Sequence, residues 1–447
     1  MLLANEIDFV EMTSGDVIMI NLINAAADIL NRETYLALTE KNFSALDAET
    51  ADKLLARRYA FESDEDYQRF IAGLDNEIED MEIKSVPNFV LIPSYACNLK
   101  CIYCYEQTYK INNRVEHQRS TVNDWFDFIG DRIADLKIRG ADYDPADIMI
   151  TLMGGEPLLR SNYNTIEDAV NQIESIGYSY CVVSNGVDIE QYIDLLRDKN
   201  VDHIQITLDG DREIHDARRI FHDGSGSFDI IMDNIGKCLR AGLKIVVRVN
   251  VDAGNLKGLP DLSRLLAEKF GTFGNFSAYI YLLHDGGCSG ESNVVDEEIG
   301  IDEVYAIEQE NPTMSIFKKS FHPTNFVESI LKDRKFNPAL RHCGAAMNQY
   351  VLDAQGRVYK CWHGIGNNEY IVGTIRNGLG TLSDFWLRRA VNRIEECKQC
   401  KYRYICGTGC PASGHNDKAG AFNVASPSCV KYGELIKKLV GIELGRQ

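Results

Sequence analysis

Three cysteines, Cys97, Cys101 and Cys104, are spaced C-x3-C-x2-C directly after the apolar run NFVLIPSYA (88–96). Three thiolates on one tight loop can hold three irons of a [4Fe–4S] cube and leave the fourth iron open to a substrate or cofactor. A structural zinc ion would want four protein ligands, and the closest further candidate is His117. Seven more cysteines, Cys343, Cys361, Cys397, Cys400, Cys406, Cys410 and Cys429, crowd the C-terminal part. The total of 13 is odd, so the thiols cannot all pair within one chain. Short CxxC-type spacings in a reducing compartment read as metal sites before disulfides. Cys181 and Cys238 fall inside a predicted strand and a predicted helix, where a thiol behaves as a small buried hydrophobe. Cys288 sits in a Gly-rich loop, DGGCSG (285–290).

Further chemistry-bearing residues follow at the ends of predicted strands. They are Gly154-Gly155-Glu156-Pro157, Ser184-Asn185-Gly186, Thr207-Leu208-Asp209-Gly210 and then His215-Asp216-Ala217-Arg218. Glycine permits close backbone approach and a carboxylate pairs with an ammonium. Together with the C-x3-C-x2-C loop, these motifs resemble the radical S-adenosylmethionine (radical SAM) superfamily. The resemblance implies that Cys97, Cys101 and Cys104 carry the catalytic cluster and that Tyr103 packs near the adenine of SAM. It implies that Gly154, Gly155 and Glu156 bind the methionine amino group and that Ser184 and Asn185 meet the ribose. Thr207 and Arg218 would face the carboxylate and ribose, and Arg248 and Asn250 match a fifth-strand pattern. His215 and Asp216 also read simply as a hydrogen-bonded pair at a helix start.

The seven later cysteines resemble SPASM, an extension of radical SAM enzymes that holds two auxiliary clusters. That likeness implies about three [4Fe–4S] clusters in all, with SAM as the other cofactor. Cys397, Cys400, Cys406 and Cys429 would hold one auxiliary cluster completely. Cys343, Cys361 and Cys410 would hold three corners of the other, its fourth ligand being Cys288 or a substrate thiolate on an open iron. Two structural zinc sites are the alternative.

The elements that must position these residues are legible between 88 and 283. Apolar runs at 88–96, 147–153, 180–186, 203–210, 244–251 and 276–283 read as strands buried on both faces. Amphipathic stretches at 165–177, 228–242 and 259–271 read as crossover helices. This is an α/β unit, either an open barrel or a doubly wound sheet; the family resemblance implies a partial (β/α)6 barrel. We expect four parts: an N-terminal module (1–86), a radical SAM core (87–300), a bridge (301–342) and a Cys-rich auxiliary-cluster domain (343–447). The first holds 19 acidic and 7 basic residues, out of a net charge of −19 for the chain. A strand at 16–22 and helices at 44–58 and 63–81, the latter capped by Ser63 or Asp64, make it a small α+β module. It reads either as a solvated acidic appendage or, by resemblance, as a winged-helix-like module that captures a leader peptide at a sheet edge. The Cys-rich domain shows little hydrophobic periodicity and is expected to fold around metal.

The acidic balance argues against a non-specific nucleic-acid binder. No apolar stretch approaches the ~20 residues of a membrane span. The N-terminus lacks a basic segment followed by an apolar one. A cytoplasmic enzyme is the expected class. The resemblance implies that a SAM-derived 5′-deoxyadenosyl radical takes hydrogen from a ribosomally made precursor peptide bearing a leader. A reductant such as flavodoxin or ferredoxin would supply electrons. The favoured product is a thioether; carbon–carbon cross-linking, epimerisation, anaerobic sulfatase maturation and, outside enzymes, an electron-transfer scaffold are the alternatives. Sulfatase maturases typically place an Asp after the position of Cys361, where this chain has Trp362-His363.

Overall fold

The computed structural model describes residues 1–12, 15–104, 106, 119–283, 294–332, 334–414 and 429–445. Its centre is a run of parallel strands, Asn88–Ile92, Met149–Leu152, Ser179–Ser184, His203–Leu208, Ile245–Val251, Phe276–Leu282 and Phe317–Ser320. They lie side by side in chain order. A doubly wound sheet needs a point where strand order reverses, and this run has none. Right-handed crossovers without reversal put every helix on one face, and the sheet becomes an open barrel.

The later strands alternate rather than running apolar on both faces. Ile204, Ile206, Leu208, Val247, Val249 and Val251 are fully buried in the main core. The alternate positions carry Gln205, Thr207, Arg248, Asn250, Tyr279 and Tyr281. Here Tyr279 donates to Gln205 (2.7 Å), Arg248 donates to Asn250 (2.8 Å) and Arg248 stacks over Tyr281. The inner face is therefore a hydrogen-bonded polar surface.

Residues 301–342 do more than bridge. The strand Phe317–Ser320 pairs with Phe276–Leu282, between the helices Glu297–Glu310 and Thr324–Leu331. The Cys-rich part, in turn, has a core that its periodicity did not reveal. Strand Gln349–Asp353 pairs in parallel with Asn88–Ile92 on the edge opposite the other barrel strands. Arg357–Tyr359, Ile371–Thr374 and Gly378–Leu379 continue the sheet antiparallel. Tyr350, Val351, Leu352, Val358 and Tyr359 join the same hydrophobic core as the barrel. At the junction, buried Asp353 accepts from Tyr95 (2.7 Å), Tyr359 (3.3 Å) and the Arg357 guanidinium (2.6 Å).

The N-terminal module is a three-stranded antiparallel meander, Ile7–Glu11, Val17–Asn21 and Ala27–Leu30, followed by helices Arg32–Thr39, Ala48–Ala56 and Asp64–Ile83. Each helix starts at a polar cap: Asn31, Asp47 and Ser63 accept from the third residue onward. Among the described residues, no helix is long and apolar enough to cross a membrane.

Candidate functional site

The first cysteine loop follows the C-terminal end of the first barrel strand. Its backbone is pinned to the segment after Arg218: Lys100 donates to the Ile220 carbonyl (2.7 Å) and Ile102 to the Arg218 carbonyl (3.0 Å). Cys97 Sγ accepts from the Leu99 amide (3.4 Å) and the Asn185 side-chain amide (3.7 Å). Burial pushes the Cys97 thiol far up, reinforced by the Glu156 charge and by Cys101 and Cys104; burial also raises Cys101. Three thiolates on this loop are unfavourable for the protein alone, and a bound cationic cluster is what would compensate them.

Glu156 is the hub of the second motif. It is buried; Oε1 accepts from the Leu158 amide (2.9 Å) and Ser184 Oγ (2.8 Å), and Oε2 accepts from the Asn185 amide (2.6 Å). Burial nevertheless pushes its pKa up to about 7. A carboxylate has about four acceptor sites, so room remains for one further cationic donor. The glycines before it serve the chain's own packing. A Cβ on Gly155 would lie 2.4 Å from the Tyr95 carbonyl oxygen, and Gly154 combines φ +132° with Ile92 and Ser94 against it. The pair lets this turn press onto residues 94–96, which lead into Cys97.

Tyr103, Thr207 and Arg218 lie at the same end of the barrel, but Arg218 is heavily engaged. Its fork grips Asp252 in two bonds (3.0 and 2.8 Å), Nε reaches Asp209 (3.3 Å) and its plane lies over the Tyr103 ring. Arg219 donates to the Tyr103 hydroxyl (2.8 Å). Arg218 thus ties two strand ends to the aromatic of the cysteine loop, a positioning role. Arg219 and Asp252 were not singled out from sequence, and Asp209 was named only within the Thr207–Gly210 motif, without a partner; the doubled arginine after His215-Asp216 was the available signal. His215 is buried against Ser227 Oγ (3.0 Å), and Asp216 accepts from the Phe228 amide (2.8 Å) at the start of the next helix. A cavity of about 950 Å³ opens at the other end of the barrel, lined by His203, Lys244, Tyr279 and Lys318, away from these residues.

Of the later cysteines, Cys397, Cys400, Cys406 and Cys429 gather in one set, and Cys343 lies near Cys410 in another. Cys406 is pushed up to about 12 by burial and then by Cys397, Cys400 and Cys429; Cys397 rises to about 11 through burial, Cys429 and Cys400. Cys343 is raised by burial and feels Cys410. Cys361 ends the loop after Arg357–Tyr359 and is buried in the core beside that strand. Cys288 and His117 lie outside the described residues. Among the described residues, no three His, Cys, Asp or Glu side chains crowd to single-ion spacing.

What holds these sets comes from far away in the chain. Buried Glu6 pairs with Arg403 (2.9 Å) and accepts from Tyr67 (2.9 Å). Asp8 accepts from Lys401 (2.8 Å) and Tyr402 (2.6 Å), and Asp75 from Tyr404 (2.7 Å). Glu82 accepts from Arg341 (2.7 Å) and from the Leu340 and Arg341 amides, while Glu79 pairs with Arg341 and Arg393. The acidic residues of the N-terminal module therefore bracket the segments that carry Cys343, Cys397, Cys400 and Cys406. They are not simply a solvated face.

Residues 91–255 match the family model of the Radical SAM superfamily, a stretch that runs from before Cys97 to beyond Asp252. These residues form a radical SAM domain. Such domains use a [4Fe–4S] cluster and SAM. It is 22% identical to a cysteine-type anaerobic sulfatase-maturating enzyme of Clostridium novyi, over 73% of this chain and 88% of that one. It is 26% identical to an Fe-coproporphyrin III synthase of Methanosarcina barkeri, over only 39% of either chain. Among solved structures it resembles the sulfatase-maturating enzyme anSMEcpe with bound AdoMet (TM-score 0.58, 16% identity, 80% of this chain and 94% of that one). It also resembles Streptococcus suis SuiB bound to the precursor peptide SuiA (TM-score 0.53, 16% identity, 94% and 98%).

In this radical SAM domain the residues present fit both cofactors. Cys97, Cys101 and Cys104 would hold the cluster, with Leu99 and Asn185 donating to the Cys97 sulfur. Glu156, short of one cation, would take the SAM ammonium beside Ser184 and Asn185. When bound, cluster and SAM supply a radical able to take a hydrogen atom from carbon. The chain's own residues orient that chemistry: Arg218 and Arg219 fix Tyr103, and the polar inner face leads from Thr207 to Tyr281.

Proposed function

We propose that this enzyme matures a ribosomally made precursor peptide, held through its leader by the N-terminal module, and that it forms a thioether. The observation that carries the reading is an edge strand of the N-terminal meander with an exposed apolar side chain. In the meander, Ile7–Glu11 is covered by the Lys401–Arg403 segment, whereas Ala27–Leu30 is the opposite edge and Ile29 on it is 68% exposed. An extended leader adding there would be a fourth strand. The likeness to SuiB, whose structure includes a precursor peptide, extends over the length that includes this module and supports the same reading.

Joining a peptide Cys sulfur to a carbon removes two hydrogens and two electrons from the peptide. One electron leaves with the hydrogen atom taken by the SAM-derived radical; the other needs an acceptor. Two auxiliary clusters, on Cys397, Cys400, Cys406 and Cys429 and on Cys343, Cys361 and Cys410, would supply it.

Anaerobic incubation with a Cys-containing precursor encoded beside the gene tests this. The expected product has lost two hydrogens per link and no longer reacts with a thiol alkylating agent; Ile29→Asp should weaken leader binding about tenfold or more. The second reading, sulfatase maturation, is favoured by the Clostridium novyi relative. It predicts instead an aldehyde on a sulfatase-derived peptide and no effect of Ile29→Asp.

A further inference from the structure

Two segments that carry auxiliary cysteines, 340–343 and 406–410, meet beside Arg389. The Val391 amide donates to the Leu340 carbonyl (3.0 Å), and His342 Nδ1 lies 3.0 Å from the Cys406 carbonyl. Between Cys406 and Cys410 the chain passes through three consecutive left-handed residues, Gly407 (φ +60°), Thr408 (φ +84°) and Gly409 (φ +72°). A β-branched residue is strained there. A Cβ on Gly407 would sit 2.5 Å from the Arg341 backbone, so the turn is pressed onto the approach to Cys343.

Arg389 lies under this turn, 1% exposed, and its Nη2 donates to the carbonyls of Thr408 (3.1 Å) and Gly409 (3.4 Å). The guanidinium is thus held by the same turn that separates a cysteine of one set from a cysteine of the other. Burial works against its charge, and the thiols of Cys410, Cys397, Cys343 and Cys406 act in its favour.

We propose that Arg389 is a positioning residue shared by both auxiliary ligand sets, a buried cation that raises the reduction potential of the clusters they hold. The proposal rests on the auxiliary-cluster reading above. Reduction adds negative charge to a cluster, and cluster potential follows local charge, hydrogen bonding and burial. A fixed positive charge in a low-dielectric interior favours the reduced form. Raising the potential suits clusters that must accept the electron left when a peptide is oxidised.

The test is an anaerobic redox titration followed by electron paramagnetic resonance, with iron counted, on the full-length enzyme and its Arg389→Gln and Arg389→Lys variants. Arg389→Gln should lower both auxiliary midpoints by about 59 mV or more, a tenfold shift in a one-electron equilibrium. Arg389→Lys should restore most of that shift. Unchanged midpoints in a fully iron-loaded Arg389→Gln protein overturn the proposal. If Arg389→Gln fails to hold iron, Arg389→Lys decides: iron with near-native midpoints supports a charge role, and equal loss overturns it in favour of simple packing. Wild-type protein holding only about four irons would instead overturn the auxiliary-cluster reading beneath it.

Discussion

The two cysteine regions are built on opposite plans. Around Cys97, Cys101 and Cys104, the groups that shape the loop come from nearby parts of the barrel: Glu156 and Asn185 at strand ends, and Arg218 and the Ile220 carbonyl where the helix Arg212–Arg218 ends. Around Cys343 and Cys397–Cys410, the shaping groups come from the other end of the chain, as Glu6, Asp8, Asp75, Glu79 and Glu82. A parallel barrel offers converging strand ends, and a site can be assembled there from nearby backbone. A loop-rich, Cys-rich segment has no such frame and borrows one. The contrast also reassigns part of the N-terminal acidity: five of its 19 acidic residues are committed internally, which leaves the rest to face solvent.

The sharpest way to separate the regions is to empty one of them. Replacing Cys97, Cys101 and Cys104 with Ala should abolish SAM cleavage and remove about four of roughly twelve irons, leaving two auxiliary clusters. Iron analysis with Mössbauer spectroscopy checks this. Loss of all iron would mean that the regions are not independent.

Breaking the bracket should do the reverse. Glu6→Ala leaves Arg403 buried without its carboxylate, at a cost of about 3–5 kcal/mol. Auxiliary iron should fall while substrate-free SAM cleavage persists, and Glu6→Gln with Arg403→Met should recover part of the loss. Deleting residues 1–86 should therefore also deplete auxiliary iron, besides abolishing leader binding. Full auxiliary iron in the truncated protein would break the comparison.

A smaller effect tests the barrel end alone. Glu156 has its pKa raised to about 7, chiefly by burial. A carboxyl group raised above its unfolded value near 4.3–4.5 contributes stability that is full below that value and fades as pH rises toward 7. Pairing with the SAM ammonium requires the ionised form, so affinity should run the other way. SAM should bind up to about tenfold more weakly at pH 6 than at pH 8, and Glu156→Gln should bind weakly with a flat profile. Anaerobic calorimetry at the two pH values measures it. The smallest expected change is in leader affinity with salt: a strand-addition contact should vary little between low and physiological ionic strength, whereas exposed charges would be screened.

Much of the barrel end was legible because its signals are local. The six runs fell within a few residues of the observed strands, and the cysteine loop, Gly154–Glu156 and Ser184–Asn185 meet at one end. The polar inner face was less legible, because Arg248 and Asn250 sit in a run that still reads as apolar. The bracket was illegible for a physical reason: Glu6 and Arg403 are 397 positions apart, and an ion pair leaves no periodicity in either segment. Strand Gln349–Asp353 was missed in a region whose cysteines dominate the pattern, although it completes the barrel's edge. Arg389 carried no signal at all until the turn at Gly407–Gly409 was seen above it.

The most direct measurement follows the hydrogen. A Cys-containing precursor peptide deuterated at carbon, incubated anaerobically with SAM and reductant, should transfer deuterium into 5′-deoxyadenosine in step with loss of two hydrogens from the peptide. The Cys97, Cys101 and Cys104 variant should form no 5′-deoxyadenosine. Unlabelled 5′-deoxyadenosine beside an unaltered peptide, with deuterium transfer only from a sulfatase-derived peptide, would contradict precursor-peptide maturation.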